Sequence, residues 1–145
     1  HGYRLLDHQD TEPEFPFGFG LSYTTFDLGG LQVERTADYF NVTVSVMNTG
    51  NVAGAEIVQL YVSCTDSAVF RVPKELKGFG RVELEAGETA DLELNLSDED
   101  LRYYDPELNG WVLEPCSYDL QLGVSSRDLP LSSGWLFDGV EWQPV

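Results

Sequence analysis

The 145-residue chain reads as an all-β protein, an antiparallel β-sandwich of about seven strands. Three observations predict it. Apolar and polar residues alternate with a period of two in several short runs, turn-forming residues separate those runs, and helical patterning is nearly absent.

Taken in order, the elements justify that reading. From Tyr39 onward, Phe40, Val42, Val44 and Val46 alternate with Asn41, Thr43 and Ser45, the pattern of a half-buried strand. Asn48 to Gly54 (NTGNVAG) is a turn region. Glu56 to Ser63 (EIVQLYVS) is a second strand, apolar on both faces in its middle as a central strand would be. Leu76 to Leu84 (LKGFGRVEL) reads as a strand kinked at Gly78 and Gly80. A tight turn at Glu85 to Glu88 leads into Ala90, Leu92, Leu94 and Leu96, which alternate with Asp91, Glu93 and Asn95. Tyr118, Leu120 and Leu122 repeat the pattern, and a last short strand lies within Leu129 to Phe137. Ser97 is a good N-cap for one helical turn before Leu101, with Asp98, Glu99 and Asp100 suited to its N-terminus. The sandwich is therefore expected over residues 31–137, with a linker and strap over 1–30 and a tail over 138–145.

The strap is the least ordinary stretch. Phe15 to Phe26 (FPFGFGLSYTTF) holds four Phe and no charge, in a chain whose formal net charge is -17. Gly18 and Gly20 break a helix and Pro16 lacks a ladder donor, so no regular element is expected. Such a segment must be shielded from water or matched to a partner, which predicts a strap across the junction of two packed bodies.

Composition bounds the rest. A hydrophobic content of 42% suffices for one core. No stretch approaches the length of a membrane span and no signal peptide opens the chain; His1 in place of Met reads as the start of a fragment. Lys and Arg number 8 against 25 Asp and Glu, so neither nucleic acid nor an anionic membrane is an expected partner. The acids are scattered as on a solvated folded surface, a composition that also fits a protein working in high salt.

No catalytic residue is expected in this chain. Asp98, Glu99 and Asp100 are sequence neighbours on one turn and point in different directions, so capping and solubility explain them better than paired acid–base work. Asp105 to Gly110 (DPELNG) lacks the ligand spacing of a calcium loop and reads as a turn. With no Gly-x-Ser-x-Gly elbow, no CxxC spacing, and His8 as the sole internal histidine, a nucleophilic triad, a zinc site and any other metal or cofactor site are unsupported. Trp111, Trp135 and Trp142, with Tyr103 and Tyr104, have two readings: a sugar-stacking platform, or packing in the core or between domains. Asn41-Val42-Thr43 and Asn95-Leu96-Ser97 match the glycosylation sequon within strands. Cys64 ends one strand and Cys116 begins another. If those strands are antiparallel neighbours a disulfide is geometrically allowed; otherwise both are free, partly buried thiols, and neither reading decides the compartment.

FPFGFGLSYTTF resembles the segment that introduces the C-terminal fibronectin type III-like domain of glycoside hydrolase family 3 enzymes. The likeness runs in order through Gly2-Tyr3-Arg4, Asn48-Thr49-Gly50, VQLYVS (Val58 to Ser63), PKELKGFGRVEL (Pro73 to Leu84), AGET (Ala86 to Thr89), Tyr104-Asp105, and segments from Trp111 to Leu129. It covers nearly the whole chain, and departs at Cys116, where the family commonly has Gly. The resemblance implies an immunoglobulin/fibronectin type III-like sandwich. It also implies a β-glucosidase-like parent whose catalytic Asp and acid/base Glu lie on a barrel domain and an α/β domain outside this chain. The implied partners are those two domains of the same polypeptide, and residues 1–30 would lead out of the α/β domain. The expected contact surface comprises Phe15, Pro16, Phe17, Phe19, Leu21, Tyr23 and Phe26 of the strap, with Arg71, Lys74, Lys77 and Phe79 of the loop and strand beyond. The three basic side chains are expected to meet acids on the neighbour or, alternatively, to pair locally with Glu75. A polysaccharide-binding module is the competing reading, and an independent hydrolase a third.

Overall fold

Two antiparallel sheets enclose one apolar core in the computed structural model, which describes residues 2–145; the reading of His1 lies outside them. The first sheet holds β1 (Phe26–Arg35), β2 (Tyr39–Asn48) and β5 (Thr89–Ser97) in the order β1-β2-β5. The second holds β3 (Gly54–Cys64), β4 (Glu75–Leu84), β8 (Cys116–Gly123), β9 (Leu131–Phe137) and β10 (Trp142–Pro144) in the order β10-β9-β8-β3-β4. Strands β6 (Tyr103–Asp105) and β7 (Gly110–Val112) form a separate hairpin, and two short helices, α1 (Tyr3–His8) and α2 (Asp98–Leu101), complete the described residues. Seven strands make the sandwich, as expected. The hairpin and β10 are additional.

The alternation seen in the sequence is the reason the sheets face each other. Phe40, Val42, Val44 and Val46 of β2 are fully buried, against Val58 and Leu60 of β3 and Leu120 and Leu122 of β8 on the opposite sheet. Ser97 caps α2 as expected: its hydroxyl accepts from Asp100 N–H at 3.3 Å, while the Asp100 carboxylate accepts from Ser97 N–H at 2.9 Å. Asp98 pairs with Arg35 at 2.7 Å, so the acidic cluster serves structure. In the Asp105–Gly110 turn, the Asp105 carboxylate accepts from the backbone N–H of Glu107 at 2.8 Å, a turn-forming use of the acid.

Four features differ from the sequence reading. Strand β1 starts at Phe26, inside the expected strap, because its ladder with β2 bridges a bulge at Gly30-Leu31 that hides the alternation. Helix α1 is too short to leave a periodic signal. Strand β4 runs unbroken through Gly78 and Gly80; the irregularity falls between Leu76 and Gly78, opposite Leu60 and Tyr61. Residues 138–145 are not only a tail. Trp142 to Pro144 pair with β9, and the Trp142 ring lies 4.9 Å from Phe40, 5.2 Å from Tyr118 and 4.9 Å from Phe137.

Two buried phenols make the fold sensitive to alkali. Burial pushes Tyr118 up to about 12 and raises Tyr61 further, while their hydroxyls donate to Glu114 C=O at 2.9 Å and Gln59 Oε1 at 2.7 Å. An unfolded tyrosine ionises near pH 10. The raised folded values stabilise the protein fully below that pH, and the contribution is lost as pH rises from about 10 through 12. In an alkaline titration followed by phenolate absorbance, the last tyrosines are expected to ionise together with loss of far-UV β signal. Smooth ionisation of all seven tyrosines with the fold intact would refute this.

Candidate interdomain docking surface

Strand β3 is buried on both faces, and the strap is why. Its inner face, Val58, Leu60 and Val62, meets the core, while Gln59, Tyr61 and Ser63 on the outer face are also buried. The cover comes from the N-terminal segment. Tyr3 of α1 meets Tyr61 edge-on at 5.8 Å, stacks on Phe17 at 4.7 Å, and accepts from Leu76 N–H at 2.8 Å through its hydroxyl. Gln59 Nε2 donates to Gly18 C=O at 3.1 Å and to Val124 C=O at 2.8 Å, and Ser126 N–H donates to Phe17 C=O at 2.8 Å. Gly18 has φ +79°, and a Cβ there would run into the Gln59 side chain, so only glycine lets the strap lie this close.

At the far end, Thr24 donates to Asn48 Oδ1 at 2.6 Å, and Thr49 N–H donates to Thr25 C=O at 2.8 Å. With its backbone tied to the sandwich, the strap turns its side chains outward. Phe15 is 66% exposed, Leu21 91% and Tyr23 101%, and Phe17 and Phe19 are about half exposed. Phe79 of β4, directly opposite Gln59 in the ladder, is 68% exposed. Pro16 is half-buried, and Phe26 packs on the core instead of standing in the exposed set. Phe15, Phe17, Phe19, Leu21, Tyr23 and Phe79 are therefore exposed, Pro16 is partly so, and Phe26 is not among them. These residues form uncharged apolar exposure on an acidic chain.

All three basic residues have partners within the chain, two of them other than the Glu75 of the local alternative. Arg71 Nε meets Glu114 at 3.1 Å, Lys74 meets Asp7 at 3.0 Å, and Lys77 meets Glu75 at 2.7 Å, the local alternative. Asp7 also holds Arg127 at 2.9 Å, which fastens α1 to the sandwich. On Glu75 burial acts to raise the carboxyl, but the hydrogen bond and charge of Lys77, with Arg4 and Arg71, outweigh it and leave the carboxyl below its ordinary range.

The buried hub at Glu114 was not legible in the sequence. Its carboxylate is 7% exposed and accepts from Ser67 Oγ at 2.8 Å, Ala68 N–H at 2.6 Å and Arg71 Nε at 3.1 Å. These bonds gather the loop that precedes β4. Two residues on, Cys116 forms a disulfide with Cys64, Cα to Cα 6.2 Å, which overturns the free-thiol reading. Strands β3 and β8 are antiparallel neighbours, and this places the two ends together. Cys116 has no positive φ, so it occupies its place at the start of β8 without the backbone freedom of glycine.

The three tryptophans do not form one platform. Trp135 is 7% exposed and Trp142 packs among Phe40, Tyr118 and Phe137, so both serve the core. Trp111, on the β6–β7 hairpin, is 66% exposed beside Tyr104.

A three-stranded sheet β1-β2-β5 facing β4-β3-β8-β9, with edge additions, defines a fibronectin type III-like domain. Residues 56–126 match the family described as "Fibronectin type III-like domain". The chain is 44% identical over 131 residues to a β-glucosidase of Kluyveromyces marxianus, covering 88% of this chain and 15% of that protein. It is 39% identical over 139 residues to an exo-α-(1→6)-L-arabinopyranosidase of Bifidobacterium longum, covering 95% and 18%. A crystal structure of a family GH3 β-glucosidase from Bifidobacterium adolescentis superposes with a TM-score of 0.91 at 41% identity, covering 96% of this chain and 21% of that one. The chain belongs to the C-terminal fibronectin type III-like domains of glycoside hydrolase family 3. It spans only about a fifth of the length of such relatives.

Proposed function

We propose that this chain is a non-catalytic accessory domain of a β-glucosidase-like parent, and that it holds the catalytic barrel and α/β domains in position. The observation that carries this reading is the strap: its backbone is fastened to the sandwich while Phe15, Phe17, Phe19, Leu21 and Tyr23 face outward. A segment serving only its own core would bury those rings. Retaining glycoside cleavage needs two carboxyl groups about 5–5.5 Å apart. Where they come from separate domains, a clamp that limits slippage supports turnover without touching substrate.

The test replaces Phe15, Phe19 and Tyr23 together with Ser. In the 145-residue chain the thermal midpoint is expected to stay nearly unchanged, because these rings are exposed. In the full-length parent, each large side chain removed from a buried interface costs roughly 1.5–3 kcal/mol, so its melting temperature and glycosidase turnover are expected to fall together. A parent with unaltered melting and turnover would sink the clamp. Binding of the wild-type chain to insoluble glucan, lost in the triple variant, would instead favour an anchoring module.

A further inference from the structure

Half of the chain's eight cationic side chains line one cleft. Arg4 of α1, Arg71 of the loop over residues 65–74, Lys77 of β4 and Arg102, just after α2, surround a cavity of about 420 Å³, with Trp111 of the hairpin on its wall. Glu75 is the one carboxylate in the lining. Glu114 holds Arg71 from beneath, and Asp105 lies behind Tyr103 at 3.5 Å from its hydroxyl. Counting both, four positive groups face three negative ones, on a chain of formal charge -17.

The cations are not all spoken for. Arg4 and Lys77 share the single Glu75, at 3.3 and 2.7 Å. The buried Arg71 Nη2 has no hydrogen-bond partner, and Arg102 forms no ion pair among the described residues. Facing this positive rim, Trp111 offers an exposed indole braced edge-on by Tyr104 at 5.7 Å.

We propose that this cleft binds a carboxylate-bearing saccharide, a hexuronate-containing oligosaccharide, with Trp111 beneath a sugar ring and Arg102 and Lys77 meeting its carboxylate. The cavity has the size of small-molecule sites. The apolar C–H face of a pyranose packs on an indole, and guanidinium and ammonium groups select the acid by charge-assisted hydrogen bonds. A neutral glucan would leave the cationic rim unanswered. An acidic peptide would make little use of the exposed indole. The inference goes beyond the docking role and uses none of the strap's rings, so each can fail without the other.

The test titrates the 145-residue chain and the full-length parent with oligogalacturonate, a cello-oligosaccharide of equal length, and polyglutamate, following tryptophan fluorescence and heat. Oligogalacturonate is expected to bind about tenfold or more tightly than the neutral oligosaccharide, and to weaken as salt screens the cations. Arg102→Ser and Trp111→Ala are each expected to weaken it about tenfold with unchanged melting, since both side chains are exposed. Trp111→Ala should also abolish the fluorescence change. Equal affinity for the neutral oligosaccharide, tighter binding of polyglutamate, or no binding would each overturn the proposal. Binding by the isolated chain that disappears in the parent would overturn it too, since a neighbouring domain would then cover the cleft.

Discussion

Glu114→Ala is expected to destabilise the chain by about 3–5 kcal/mol, the cost of removing one partner of a buried, hydrogen-bonded ion pair. The substitution strips acceptors from Ser67, Ala68 and Arg71 at once and leaves the largely enclosed Arg71 guanidinium without its ion-pair partner. Glu114→Gln keeps one acceptor oxygen and the shape, so it is expected to lose less. Urea unfolding of the three proteins reads both values. Because this carboxylate gathers Ser67, Ala68 and Arg71, the amide protons of residues 67–71 should exchange faster in Glu114→Ala even where the sandwich stays folded. Wild-type stability in Glu114→Ala would show that the loop is held by something else.

The second large effect belongs to the disulfide. Cys64 and Cys116 are 52 residues apart, and the loop they close contains β4, β5, α2 and the β6–β7 hairpin. Closing a loop of that length removes unfolded-state entropy worth about 4 kcal/mol at 25 °C, with measured values more often about 2–4. The Cys64→Ala, Cys116→Ala double variant is therefore expected to shift the denaturation midpoint markedly, and wild type in reductant should approach it. A thiol count on unfolded, unreduced protein should find none; two reactive thiols would refute the bond. Glu114 and Cys116 lie within one stretch of chain, so their variants are not expected to add, and the shortfall would measure how far the two fastenings share the loop.

Much of the sandwich was readable because a two-residue period has one physical cause. Phe40, Val42, Val44 and Val46 must face one way, and a strand puts them there whatever its neighbours are. The same local logic gave the Ser97 cap and the Asp105 turn. It failed at Gly30-Leu31, where a bulge interrupts the period, and at Tyr3 to His8, where six residues are too few for a helical one. The candidate surface was half legible. An uncharged aromatic run announces a contact wherever it lies, but Lys74, Lys77 and Arg71 looked available only because Asp7, Glu75 and Glu114 are not marked in sequence as their partners. Trp135 and Trp142 resembled Trp111 for the same reason: residue type does not say on which side of a sheet a ring stands.

By itself the sequence determined what depends on near neighbours: the all-β class, the strand faces, the helix cap, the acidic surface, and the presence of a strap that regular structure would refuse. Only the tertiary structure decided what depends on residues distant in the chain. It joined Cys64 to Cys116, buried Glu114 among three donors, laid the strap along the outer face of β3, and gathered four cations around Trp111. Local propensity acts over a few residues, whereas these pairings arise only when two sheets close and bring together segments distant in the chain, as Asp7 and Arg127 are.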